Sequence, residues 1–325
     1  MKNSKHLLRQ SGLTLVELMI ALALGLLISL VAVGTLNIGQ QGFRSVDAAS
    51  QLRENSRFAT ELIRRLILQS GYLSSEFAIS KRHNFNIESD TEPNIKGFNN
   101  AKYSQSLAIG TSNSPSSNTI NNSDLLIIRF QTSKISQNIN GNSDYGMINC
   151  AGHSEKTVPI NSQDRTISVF HIQESKGEPS LMCTWRNEET GSWSTEPLIH
   201  GVESLQFLYG VYDIVPNTAP SSLPENTVSP APQRYLRADQ LTVTGNATAT
   251  NANWSRVRSI RVGMILRGPL GSAQEKNIPA QYAFGPESSF NHSSDGGTIL
   301  AAQTDGRLRQ SVNFTVHLRN SQGLQ

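Results

Sequence analysis

The sequence lacks almost every signature of chemistry. No GxSxG, HExxH, P-loop or calcium-loop pattern occurs in its 325 residues, which excludes the usual nucleophile elbow, zinc-protease helix, phosphate cradle and EF-hand. Its seven histidines, His6, His83, His153, His171, His200, His292 and His317, keep no short metal-ligand spacing and read as surface or strand residues. No enzyme activity, cofactor or metal is expected. Cysteine is nearly absent, and Cys150 and Cys183 match neither a CxxC redox pair nor a zinc cluster. In an oxidising compartment they read as one structural disulfide, worth about 3–4 kcal/mol on the chain-entropy model. Two buried thiols are the alternative.

A real charge surplus is missing too. The formal net charge is +3, from 28 basic and 25 acidic residues. Lys2, Lys5 and Arg9 lie in the first twelve residues, where there is no acid. Removing that stretch leaves 25 bases against 25 acids, so bulk charge gives no argument for nucleic acid. The early bases instead act as an orientation signal, holding the first residues in the cytoplasm and the remainder outside.

What is present is concentrated at the N-terminus. Leu13 to Leu36 contains one ionisable side chain, Glu17, and no proline interrupts residues 13–69. As a helix, those first 24 residues would reach about 36 Å, enough for a hydrocarbon core of about 30 Å. Three readings compete for this segment. A secretory signal peptide is offered by Ala32-Val33-Gly34, but the apolar run exceeds the usual length of about 7–15 residues and holds a charge. A plain transmembrane anchor leaves Glu17 incidental, at a cost of about 2.5–3.5 kcal/mol if it lay at mid-bilayer.

The third reading takes the residues together. A short basic leader, then Gly12-Leu13-Thr14-Leu15-Val16-Glu17, then a long apolar helix, resembles the processing site of type IV prepilins and pseudopilins. The resemblance implies cleavage between Gly12 and Leu13 by a prepilin peptidase, followed by methylation of the new amino terminus at Leu13. It also implies that Glu17 is an assembly contact, neutralising an N-terminal amine in a filament core of low dielectric. Phenylalanine is usual where this chain has Leu13. The proline that often bends major subunits is absent, leaving Gly25, Gly34 and Gly39 as soft points.

Helical periodicity continues beyond the apolar run. Ala48, Ala49, Leu52, Ala59, Leu62, Ile63 and Leu66 recur at spacings of three and four, with Arg53, Arg57, Glu61, Arg64 and Arg65 between them. Gly71 suits the C-cap, so one helix of about 85 Å is expected. Its arginines read as a solvated face, or as a surface for anionic lipid or DNA. Strand runs follow at 124–131, 166–173, 180–186, 202–212, 257–267 and 311–319. Residues 74–123 read as loops with one short strand, 213–254 as a long insertion and 268–306 as loop-like. Asp295-Gly296-Gly297 reads as a turn. Trp185, Trp193 and Trp254 read as core or edge packing, with a binding patch as the alternative.

DLLIIRF, GVESLQFLYGVY, WSRVRSIRVGMILR and the C-terminal LRN are similar to segments of PilW-type minor pilins. The resemblance implies an α+β fold, with a long N-terminal helix packed on an antiparallel β-sheet with long loops. It divides the chain into a leader (1–12), a transmembrane or filament-core helix (13–36), its amphipathic continuation (37–70) and a periplasmic β-rich domain with loop insertions (71–325). The expected role is a minor pilin that helps to initiate type IV pilus assembly, passing from the inner membrane into the filament. Its expected partners are the prepilin peptidase and other minor and major pilins. The alternatives are a type II secretion pseudopilin and a DNA-binding or adhesive tip subunit, and contact with nucleic acid stays open.

Overall fold

The structure, a computed structural model, describes residues 12, 14–81, 92–103, 119–134, 142–187, 190–220, 231–286 and 295–320. The basic leader, Leu13, His6, His83 and His292 lie outside them.

α1 runs unbroken from Leu15 to Gln69, as the missing proline and the continuous periodicity predict. Its second half turns one stripe inward: Ala48, Leu52, Ser56, Ala59, Ile63, Leu66 and Ile67 are buried, while Ala49 and Leu62 are only half-buried. The spacing of three and four keeps those side chains on a single face. The Ser70 N–H donates to the carbonyls of Leu66 and Ile67. Gly71 then adopts φ +71, the left-handed conformation that ends helices. Its N–H donates to Arg129 O at 2.8 Å, tying the helix end to a strand. A short helix, α2 (Ser75–Lys81), follows.

Two antiparallel sheets form the head, where one was expected. The first contains β1 (Ile95–Phe98), β2 (Leu125–Phe130), β3 (Thr166–Ser175), β4 (Glu178–Arg186) and β5 (Trp193–His200), paired in that order. Lys176 and Gly177, both at positive φ, make the two-residue β3–β4 turn. The second sheet contains β6 (Val202–Val211), β7 (Arg234–Leu236), β8 (Val257–Arg267) and β11 (Arg309–His317), in the order β11-β8-β6-β7. A small ribbon of β9 (Gln281–Tyr282) and β10 (Ile299–Leu300) completes the strands.

Alternation along the strands distributes side chains between three cores. Leu126, Ile128 and Phe130 of β2, Phe170 and Ile172 of β3, and Leu205, Phe207, Tyr209 and Val211 of β6 join the buried stripe of α1 in the main core. The opposite faces are covered as well. Leu125, Ile127 and Val169 form an outer cluster with Phe98 and Tyr103. Leu208 and Ile265 pack with Phe284 and Leu300. Both sheets are therefore covered on two faces, which accounts for the unbroken burial of β2 and β6. Each fully buried Leu, Ile or Phe adds about 1.5–3 kcal/mol of transfer free energy.

All six expected strand runs are strands, with ends shifted by a few residues. The stretch 213–254, expected to be a loop insertion, is a correction: it holds β7, α3 (Ala238–Leu241) and α4 (Ala247–Ser255). Leu236, Leu241 and Trp254 from it sit in the main core, with Trp254 edge-on to Tyr209 at 4.7 Å. Residues 74–123 hold α2 and a turn of 3-10 helix besides the one short strand. In 268–306, Asp295 caps a 3-10 turn by accepting from the Gly297 N–H at 3.3 Å.

Candidate functional site

Thr14 caps α1 in an extended conformation, with φ −73 and ψ 151. Its hydroxyl accepts from the Glu17 N–H at 3.3 Å, and Glu17 Oε2 accepts in return from the Thr14 N–H at 2.9 Å. The Thr14 hydroxyl also donates to Oε2 at 3.1 Å. This reciprocal pair is a capping box, which satisfies two backbone donors that the helix itself leaves open. Among the described residues, Glu17 Oε1 has no hydrogen-bond partner. Half of the carboxylate thus holds the helix end and half stays available. The S/T-x-x-E spacing was the signal for Thr14, a residue that sequence reasoning passed over in favour of its neighbours.

Beyond the cap, every side chain from Leu15 to Gln41 is exposed. The run includes Leu15, Leu18, Ile20, Leu26, Ile28 and Leu30, and Glu17 is its one charge. An apolar helix exposed on all sides among the described residues suits a bilayer or a helix bundle. α1 is long and apolar enough to cross a membrane.

Cys150 and Cys183 form a disulfide, with Cα atoms 5.7 Å apart. It joins the segment before β3 to β4, and the Cys150 N–H donates to the Ser168 hydroxyl at 3.0 Å. The tryptophans do not gather: Trp185 and Trp254 are core residues, whereas Trp193 lies against Tyr103 at 6.0 Å. His171 is fully buried in β3. Its Nε2 meets the Thr184 hydroxyl at 3.0 Å, and burial lowers its pKa to about 4. Of the helix arginines, Arg64 meets Glu61 at 3.9 Å with both exposed, an arrangement of little energetic value.

The sheets are locked at one end by an ionic network that sequence reading did not foresee. Arg267 bonds Glu178 at 2.6 Å and Glu203 at 2.9 Å. Arg309 meets Glu203 and Asp305, each at 2.7 Å, and Arg307 meets Glu178 at 3.0 Å. Glu178 opens β4 in the first sheet, whereas Glu203, Arg267 and Arg309 belong to the second, so the network joins the two. The hydrogen bond from Arg309, ahead of the other contacts, holds the Asp305 carboxyl at about 2. These arginines are consumed by partners within the fold.

Comparison with known proteins divides along the same lines. The family model for type IV pilus-assembly protein W matches residues 169–320, and that for the prokaryotic N-terminal methylation motif matches residues 7–33. A type IV-like pilin from Thermus thermophilus is similar over 83% of this chain and 98% of its own, at 13% identity and a TM-score of 0.36. No curated protein matches. With the methylation motif on its apolar helix and the assembly-protein match across its strands, the chain is similar to type IV pilins and most like the PilW-type members.

Proposed function

We propose that this chain is a minor subunit of a type IV pilus, cut between Gly12 and Leu13 by a prepilin peptidase and methylated at Leu13. It waits in the inner membrane as a single-pass protein with its head in the periplasm. With other minor pilins it then helps to start a filament that major pilins extend. The carrying observation is the N-terminus of α1: a capped apolar run, exposed from Leu15 to Gln41, whose one carboxylate, Glu17, keeps Oε1 unpartnered among the described residues. The cut makes Leu13 the first residue, four positions before Glu17 in the chain. Glu17 then neutralises that amine or a neighbouring subunit's, a pairing favoured wherever water is excluded.

The test is the intact mass of the protein from its native membrane beside a Gly12→Ala variant. A wild-type chain starting at Leu13, with cleavage lost in the variant, is expected. A start near Thr35 would mean signal-peptide secretion and an uncut chain a plain anchor, and either would sink the role of Glu17. The effect of deletion on surface pili and on protein secretion separates a pilus subunit from a secretion pseudopilin.

A further inference from the structure

The second half of α1 borders an open groove, whose apolar lining is only partly buried against the main core. Phe58, Leu62, Leu68 and Tyr72 on the helix side and Met147 across from them line about 780 Å³. Phe58 is 56% exposed and continues the partly buried apolar surface of Leu62, Leu68, Tyr72 and Met147. The walls are fixed in place. Gln69 Nε2 donates to Ile148 O at 2.9 Å, and Asn320 Nδ2 donates to Ser70 O at 3.0 Å. Two residues past Ile148, Cys150 is bound to β4 through its disulfide. A preformed groove loses little entropy when filled.

The rim is cationic. Arg64, Arg65 and Arg319 line the groove against a single acid, Glu61. Arg65 and Arg319 have no ion pair or side-chain hydrogen bond among the described residues. This differs from the arginines of the sheet network, each of which is paired.

We propose that this groove docks a different pilin-superfamily subunit through an apolar side chain flanked by carboxylates. The proposal rests on the filament reading above. An apolar floor within an arginine rim suits that chemistry on both counts. A nucleic acid backbone would engage the rim and leave the floor uncovered. Lipid headgroups are too distant: Phe58 lies roughly 33 Å of helix beyond Leu36, whereas surface potentials decay over about 8 Å. A two-fold contact between copies of this chain would set these arginines against their own equivalents.

The experiment places the photo-cross-linker p-benzoylphenylalanine at Phe58 in the full chain, in cells that assemble filaments. Adducts are identified by mass spectrometry, with and without Arg65→Glu and Arg319→Glu together. The expected result is an adduct to another pilin-superfamily subunit, at a peptide with Asp or Glu beside the cross-linked residue. The charge reversal should reduce it about tenfold or more, as a loss of about 1.4 kcal/mol requires. An adduct to lipid, to nucleic acid or to a second copy overturns the proposal, as does one indifferent to the reversal. The intact mass of the same sample separates the two readings. A chain starting at Leu13 without an adduct sinks the groove alone, whereas an uncut chain sinks the filament reading and the groove proposal together. Both reversed residues lie on the surface, and a closed Cys150–Cys183 bridge on a non-reducing gel checks that the head has folded.

Discussion

The two halves of α1 use the same apolar residues and meet opposite fates. From Leu15 to Gln41 every side chain is exposed, whereas from Ala48 to Ile67 one stripe is buried on the sheets. What differs is distribution about the axis, since the overall choice of Leu, Ile and Ala is shared. A helix apolar on all sides can be satisfied only by surroundings that are apolar on all sides. A helix with one stripe is satisfied by its own domain. No proline or cap separates them, and both belong to one unbroken helix.

The sharpest way to break this comparison is Glu17→Gln, which keeps a capping-box side chain but deletes the charge. Cleavage and head folding should survive. Incorporation into filaments, measured by immunoblot of sheared pili, should fall roughly 100-fold or more, since stranding one partner of a buried ion pair costs about 3–5 kcal/mol. Normal incorporation would leave Glu17 with a capping role alone.

Next come paired truncations. Leu66→Ala removes a fully buried side chain and should cost the head about 4 kcal/mol in urea unfolding of the detergent-solubilised chain. Leu26→Ala, on the exposed half, should leave the same transition within about 0.5 kcal/mol. Equal effects would mean that the two halves are not energetically distinct.

Replacing both cysteines by serine should lower stability by about 3–4 kcal/mol and leave the helix content of the membrane half unchanged by circular dichroism. His171 gives a pH signature confined to the head. Its pKa is depressed by burial to about 4, so its stabilising contribution is complete above about 6.5. As pH falls toward 4 the unfolded chain takes up the proton first, and stability is lost at up to about 1.4 kcal/mol per pH unit. His171→Gln should flatten this part of the profile. An unchanged slope would assign it to other groups. The smallest effect belongs to Thr14→Ala, which should cost the helix end about 1 kcal/mol, read as faster amide exchange confined to its first turn.

Much of this was legible in advance, for identifiable reasons. The six expected strands carry clustered apolar residues, such as LLIIRF in β2 and VESLQFLYGV in β6, and these runs stand out against a background rich in Ser and Asn. The helix was legible because periodicity and the missing proline agree over its whole length. β5 was not: Trp193–His200 reads WSTEPLIH, with half of its positions exposed and one buried, and it is a strand because β4 offers it a paired edge. The insertion at 213–254 was missed for a related reason. α3 and α4 are short, α4 is rich in Ala, Thr and Asn, and they hold their place through Leu241 and Trp254 in a core built by distant residues.

By itself, then, the sequence showed the N-terminal motif and the apolar helix, because both are local patterns. A glycine, a threonine cap, a carboxylate one turn later and an all-round apolar helix act within a few residues of one another. The tertiary structure decided what depends on residues far apart in the chain. It split the strands into two sheets, matched Arg267, Arg307 and Arg309 with Glu178 and Glu203, and brought Met147 and Arg319 to the groove beside Phe58. Pairings of that kind depend on which distant backbones the hydrophobic core draws together, and no spacing along the chain encodes them.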